Sequence, residues 1–216
     1  MLGLYVTVPV ACFRKGFARE FLETEILPPP STCYGFLLSL VGESDRQHHV
    51  GCRVTAALIA REPQTSTVLR TVWRLKHRDR EPGASGNMRP DFQQLLTGLE
   101  LAIWIDSAEE LGNEPSLEER VATGLKSPES IQRYGGLSLG ESTHLVNDLR
   151  RIEDCSSLKS NQVTVQMFAV AERGRLTFPV WVDHVGSAQT RYVTGQLTEQ
   201  PAMTPPDRNR MPQICP

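Results

Sequence analysis

From Leu2 to Val10 the chain reads Leu-Gly-Leu-Tyr-Val-Thr-Val-Pro-Val, an alternation rich in residues that fit a pleated surface, so a strand opens the sequence. Pro28-Pro29-Pro30 bars helix upstream, and the apolar run from Tyr34 to Val41 predicts a helix behind it. Ser31 or Thr32 is placed to cap its first amides and Gly42 to close it. Gly35 costs that helix about 1 kcal/mol, which points to close packing on a sheet or to a ligand's close approach. Val50 to Ala60 and Val68 to Lys76 are strand-like and predict a hairpin across the turn-rich Arg61-Glu62-Pro63-Gln64-Thr65-Ser66. The chain then makes a polar excursion from Arg78 to Asn87 and returns through Arg89-Pro90-Asp91-Phe92 to a strand over Leu99 to Ile105. That is a projecting arm.

Leu117 to Leu125 predicts a short helix capped by Ser116, with Glu118 and Glu119 in its first turn. Val163 to Ala171 and Leu176 to Val182 predict two further strands around the hairpin-like turn Glu172-Arg173-Gly174-Arg175. From Thr198 the Pro-rich sequence predicts an extended tail. The order of elements fits an α+β fold with a ferredoxin-like, RRM-like core. The expected organisation is one domain over residues 1–197, with the arm inserted over about 72–95, and a tail over 198–216. Lys15-Gly16-Phe17-Ala18 matches the start of an RNP1 motif, but Arg19-Glu20-Phe21 departs from it and the segment follows the first strand, where that motif does not belong.

Hydrophobic residues make up 39% and charged residues 22% of the 216 residues, a globular composition. No apolar run approaches the roughly 18 residues of a membrane span, and the N-terminus lacks the basic start and cleavage site of a signal peptide, so a cytoplasmic protein is expected. Five cysteines without a C-x-x-C pair read as reduced and structural. His48, His49 and Cys52 stand close in sequence but without a second ligand cluster, so neither metal nor cofactor is expected. The net charge of −2 conceals an asymmetry. Six basic residues (Arg70, Arg74, Lys76, Arg78, Arg80, Arg89) against two acidic ones fall between Arg70 and Arg89, leaving 17 basic and 23 acidic residues elsewhere.

Gly135 and Gly140 in Arg133-Tyr134-Gly135-Gly136-Leu137-Ser138-Leu139-Gly140-Glu141-Ser142 keep the spacing of a phosphate loop, but Glu141 stands where that loop needs its lysine. A nucleoside triphosphate site is therefore not expected. What remains is an amide-rich backbone suited to a phosphodiester, with Arg133 as cation and Tyr134 as stacking surface, or an ordinary glycine turn.

Four blocks in order, Val8 to Arg14, Pro29 to Gly42, Arg89 to Gln93 and Gly135 to Ser142, resemble the CRISPR-associated Cas5 family, in particular Myxococcus-type, cyanobacterial or transposon-allied type I variants. The resemblance implies an RRM-like fold with a β-hairpin thumb and a glycine-rich loop. It also implies a non-catalytic role capping the five-prime handle of the guide RNA, with the Cascade backbone and large subunits as partners and target DNA reached through the complex. On it, the arm is the thumb, where Arg74, Lys76, Arg78 and Arg89 bind phosphates and Met88 or Phe92 wedges against a base. Ser31, Thr32 and Tyr34 present the helix start, Arg133 to Ser142 (Arg133, Tyr134, Gly135, Gly136, Ser138, Gly140, Ser142) form the glycine loop, and Arg14 and Arg19 complete the lining.

Two other readings stand beside this one. The first is an endoribonuclease of the same fold using His48, His49, His77 or His144 with Tyr34 or Lys76, although no pair has a recognisable catalytic spacing. The second is a small-molecule phosphate-binding protein, which the long cationic arm disfavours.

Overall fold

A computed structural model describes the chain apart from residues 17, 19–20, 60–61, 74–75, 82, 113, 134, 160–162 and 186–187, and apart from the side chain at 72. Its first elements are strands β1 (Leu2–Ala11), β2 (Phe13–Arg14), β3 (Phe21–Leu22) and β4 (Thr24–Glu25), followed by helix α1 (Pro30–Leu40). Strands β5 (Arg53–Ile59), β6 (Gln64–Trp73) and β7 (Met88–Asp106) and helix α2 (Leu117–Lys126) come next. Strands β8 (Asp148–Arg151), β9 (Thr164–Val170), β10 (Leu176–Trp181) and β11 (Arg191–Pro201) complete the order.

In the main sheet β5, β7, β1 and β8 lie side by side in that order, each pair antiparallel. With α1 after β1 and α2 after β7, this is the βαββαβ order of a ferredoxin-like, RRM-like core, the α+β fold expected. The alternation of β1 explains its place. Leu2, Leu4, Val6 and Val8 are buried in one cluster with Phe36, Leu37 and Leu40 of α1 and Val121 of α2, and each large side chain so buried contributes roughly 1.5–3 kcal/mol. The opposite face carries a second apolar layer in which Ala57, Ala102, Trp104 and Met167 pack with Ile152, Leu158 and Met211. The sheet face on which an RRM stacks bases is thus partly covered by the chain itself.

Gly42 closes α1 as expected. At φ +68° it lets the Glu43 amide reach the Leu38 carbonyl at 2.9 Å, in a Schellman-type ending. Ser116 caps α2 through a full capping box with Glu119. At the start of α1 the structure differs from expectation: the helix begins at Pro30, Pro29 is the cap without a side-chain hydrogen bond, and Ser31 and Thr32 lie inside the first turn. The proline ring presets the helical φ and needs no hydroxyl. Gly35 is exposed, and a Cβ there would meet nothing within 4 Å, so sheet packing does not account for it.

The predicted hairpin between residues 50–60 and 68–76 is not formed. β5 pairs with residues 101–106 of β7 and β6 with residues 88–97, both on the edge opposite β1, so the two strands run in line. Pro63 interrupts the ladder without reversing it. The hairpin is β6–β7 instead, and β3 joins it in parallel at Phe92 and Gln93. β9 and β10 likewise do not pair with each other; both pair with β11.

The Pro-rich end is not an extended tail. Thr198 to Pro201 are the last residues of β11, Met211 and Ile214 are buried, and the Ile214 amide donates to the Cys52 carbonyl at 2.9 Å beside β5. The apolar residues among those prolines, invisible to a compositional reading, hold the segment down. Among the described residues no helix is long and apolar enough to cross a membrane.

Candidate nucleic-acid interface

The long strand β7 does two jobs. Its second half is central in the core, and its first half leaves the core as one arm of the β6–β7 thumb. Register sorts the thumb residues by face. Leu69 opposes Phe92, Thr71 opposes Pro90 and Trp73 opposes Met88, with Phe21 of β3 beside Phe92. This face is apolar and exposed: Leu69 is 63%, Trp73 64%, Phe92 53%, Met88 45% and Phe21 42% accessible. The alternate positions, Arg70 with Asp91 and Val68 with Gln93, form the other face.

That second face is tied down. Arg70 pairs with Glu141 at 3.2 Å, Gln93 donates to the same carboxylate at 2.9 Å, and Arg89 donates to Asp91 at 2.6 Å. Glu141, the residue that replaces a phosphate-loop lysine, therefore joins the glycine loop to both strands of the thumb. Glu141→Ala leaves the buried Gln93 amide without this acceptor and is expected to cost about 1–3 kcal/mol. Amide hydrogen exchange over 88–97 should rise with a lowered melting point. Unchanged exchange there contradicts the coupling.

At the thumb tip, Asn87 is 1% exposed; its carboxamide oxygen accepts from the His77 amide at 2.9 Å and its NH2 donates to the His77 carbonyl at 3.1 Å. Around this pin Lys76, Arg78 and Arg80 project into solvent. Lys76 and Arg78 are thus free-standing cations among the described residues, while Arg89 belongs to a largely buried pair with Asp91, a correction to its expected phosphate contact. Arg74, Arg19 and Tyr134 lie outside the described residues.

The glycine loop is closed on itself. Ser138 bridges to Leu145, the Leu139 amide donates to the His144 carbonyl at 3.0 Å, and the His144 amide donates to the Glu141 carbonyl at 2.9 Å. The His144 ring is buried, and its Nδ1 accepts from the Cys12 amide at 3.2 Å and the Glu141 amide at 3.1 Å. Burial pushes its pKa down, which favours the neutral acceptor these bonds need. Gly140, at φ +104°, has the Cys12 carbonyl 2.9 Å from where a Cβ would stand. Two of the amides the loop was expected to offer a phosphate, those of Leu139 and Glu141, are therefore already bonded within the chain. Gly135, at φ +76°, Gly136, Arg133 and Ser142 are exposed.

Between α1 and this loop runs a groove of about 390 Å³ lined by Ser31, Thr32, Gly35, Ser39, Ser138 and Gly140. The helix start and the glycine loop, far apart in sequence, meet here. Arg46 closes one wall, its guanidinium 4.2 Å from the Trp181 ring centroid and donating to the Val182 carbonyl at 2.6 Å. His184 is exposed at the rim. Tyr34 does not offer its ring: it is 3% exposed, and its hydroxyl donates to the Arg46 carbonyl at 2.8 Å. Burial raises its pKa. Arg14 is exposed on β2, donates to the Ala18 carbonyl at 2.8 Å and lines a different cavity.

Leu69, Trp73, Arg46 and Trp181 escaped the sequence reading. Strand register alone puts Leu69 and Trp73 on the face of Phe92 and Met88, and that register was hidden by the misplaced hairpin. The His48–His49 segment also resolves differently from its sequence neighbourhood. Glu43, His48 and His49 come together, not Cys52, and the Arg120 guanidinium lies 2.7 Å from both Glu43 and His49. The chain supplies its own cation there.

No family model matches this chain. Over 214 residues, 99% of this chain and 97% of the relative, it is 50% identical to the CRISPR-associated protein Cas5 of Myxococcus xanthus (strain DK1622). A solved structure described as a CRISPR RNA-guided surveillance complex aligns with TM-score 0.60 at 12% identity, covering 92% of this chain and 89% of that one. A second, described as the crystal structure of a Cas protein, aligns with TM-score 0.51 at 14% identity over 92% and 93%. These two likenesses carry the fold, and half-identity along almost the whole of both sequences carries more: the chain belongs to the CRISPR-associated Cas5 family.

Proposed function

We propose that this chain is the non-catalytic subunit of a type I Cascade complex that holds the five-prime handle of the guide RNA, in contact with the backbone and large subunits, and reaches target DNA through the complex. The observation that carries the reading is the thumb. It pairs an exposed apolar face (Leu69, Trp73, Met88, Phe92) with a cationic tip (Lys76, Arg78, Arg80). Flat apolar side chains beside exposed cations suit a displaced base between two phosphates, because every base has a π-face and every phosphate a charge. The groove between α1 and the glycine loop suits the adjoining handle nucleotides, with hydroxyls from Ser31, Thr32, Ser39 and Ser138 as hydrogen-bonding groups and the exposed Gly35 leaving room for a backbone.

Acid-base cleavage of RNA needs a base and a cation beside one phosphate. His49 is wholly buried between Glu110 and Arg120, His48 stacks on it with Nδ1 on Glu43 at 2.8 Å, and the His144 ring is committed to two amides. His184 is the histidine on the groove.

The test is to co-express the chain with its neighbouring genes, purify the particle and sequence its RNA. One uniform short RNA with a constant five-prime end, unchanged by His184→Ala, is expected. Loss of that end in the variant, with the precursor accumulating, transfers the chain to the nuclease class. A monomer without RNA refutes the RNA-binding reading.

A further inference from the structure

Away from both the thumb and the groove, a cavity of about 500 Å³ opens between the β2–β4 hairpin and the β10–β11 pair. One wall is Tyr192, 46% exposed, with Pro179 directly opposite it on β10. A Cβ on Gly16 would stand 3.2 Å from the Tyr192 hydroxyl, so the hairpin closes against the far end of that ring. The cationic side is Arg14 and Lys15, the latter 3.7 Å from Glu23 across a solvent-exposed pair. Glu25 lines the interior. Its carboxylate has no hydrogen-bond or ion-pair partner among the described residues, and burial raises its pKa, as expected of a carboxyl without a bound donor.

We infer that this cavity is a base-reading subsite for one unstacked nucleotide of single-stranded RNA, in which Tyr192 stacks on the base, Glu25 accepts from its amino edge and Arg14 with Lys15 holds the phosphate. As register partners the Tyr192 ring and the Pro179 pyrrolidine stand side by side on one face of the β10–β11 pair, an apolar floor on which one planar ligand can lie. Two cations at its mouth match one phosphodiester. The carboxylate selects among bases: guanine offers N1–H and N2–H as two parallel donors, cytosine and adenine offer one amino group each, and uracil offers only its single imide N3–H between two carbonyl oxygens that a carboxylate repels. Guanine is therefore the preferred occupant. The subsite rests on the proposed RNA-binding function and adds a sequence preference to it.

The test titrates the full chain with GMP, CMP, AMP and UMP at millimolar concentration, read by saturation-transfer NMR, alongside the Tyr192→Ala, Tyr192→Phe and Glu25→Gln variants. GMP should bind best and UMP worst. Tyr192→Ala should weaken all four roughly ten-fold, as removal of one stacked ring does, while Tyr192→Phe restores binding. Glu25→Gln should remove roughly ten-fold of the preference for guanine and change UMP binding least. Absence of nucleotide binding, or binding without base preference, overturns the subsite. If the co-expressed particle still carries its RNA, that result leaves the capping role standing; if the particle is empty, the broader reading fails with it.

Discussion

Replacing Trp73 and Phe92 together by serine is expected to leave the melting temperature nearly unchanged while stripping RNA from the complex. Both side chains are more than half exposed and sit on the outward face of the thumb, so their removal costs the folded chain little, within about 0.5 kcal/mol each. If a base stacks between or beside them, its loss weakens retention by about 1–3 kcal/mol, or roughly ten- to a hundred-fold. Lys76→Ala with Arg78→Ala should behave differently. Affinity should fall for any sequence, and the slope of log K against log salt should shrink by roughly one for each phosphate no longer neutralised. Full retention of RNA in the serine variant, measured by nucleic-acid absorbance of the purified particle, contradicts the wedge.

Glu110→Ala is expected to be the most damaging single change to stability. The wholly buried His49 ring makes a hydrogen bond through Nδ1 to the Glu110 carboxylate, which is itself only 2% exposed and also accepts from the Leu117 amide at 3.0 Å, at the start of α2. Arg120 of α2 extends the network to His49 and Glu43 and donates to the Val41 carbonyl at 3.3 Å. Removing the carboxylate leaves the His49 Nδ1–H and the Leu117 amide without their acceptor, at a cost of about 1–3 kcal/mol each, which together lower the melting point of a chain of this size by roughly 4–24 °C. Calorimetry decides: a melting point within about 2 °C of the parent, under 1 kcal/mol on the same scale, refutes the network's structural role. The acid limb follows from Glu43, whose carboxyl the Arg120 hydrogen bond holds down to about 2 from 4.5. A depressed carboxyl pKa stabilises the fold above about pH 4.5 and loses that contribution as pH falls toward 2. In Arg120→Ala the acid transition therefore moves to higher pH.

The core elements were legible because their signals are local. Alternation exposed β1, prolines and Gly42 bounded α1, and Ser116 with Glu119 marked α2. Strand partners were not legible, since pairing is set by the whole sheet. The turn-like Arg61 to Ser66 suggested a reversal, yet each of the two flanking strands finds a longer partner in β7. That error had a functional consequence: it hid the alternation that puts Leu69 and Trp73 on the exposed face and Arg70 on the paired one. The tail was misread for a related reason. Proline content argued for an extended segment, while Met211 and Ile214, two apolar residues among polar ones, anchor it in the fold.

Within the site, residue types were easier to read than their duties. Ser31, Thr32, Ser138 and Gly140 all stand out in the sequence and do line one groove. The glycine loop was expected to offer amides, but its interior hydrogen bonds and His144 consume those of Leu139 and Glu141. Glu141, the wrong charge for a phosphate, turns out to be the right charge for Arg70. Tyr34 and Arg89 had the chemistry for RNA, and only burial and pairing reveal that they serve the fold.

Ultraviolet crosslinking of the co-expressed particle, with mass spectrometry of the peptide–RNA adducts, tests the central claim most directly. Adducts should fall on the thumb peptide containing Met88 and Phe92 and on the α1 peptide from Ser31 to Ser39, joined to nucleotides at the five-prime end of one uniform RNA. RNA crosslinked only elsewhere on the chain, or to this subunit not at all, contradicts the account.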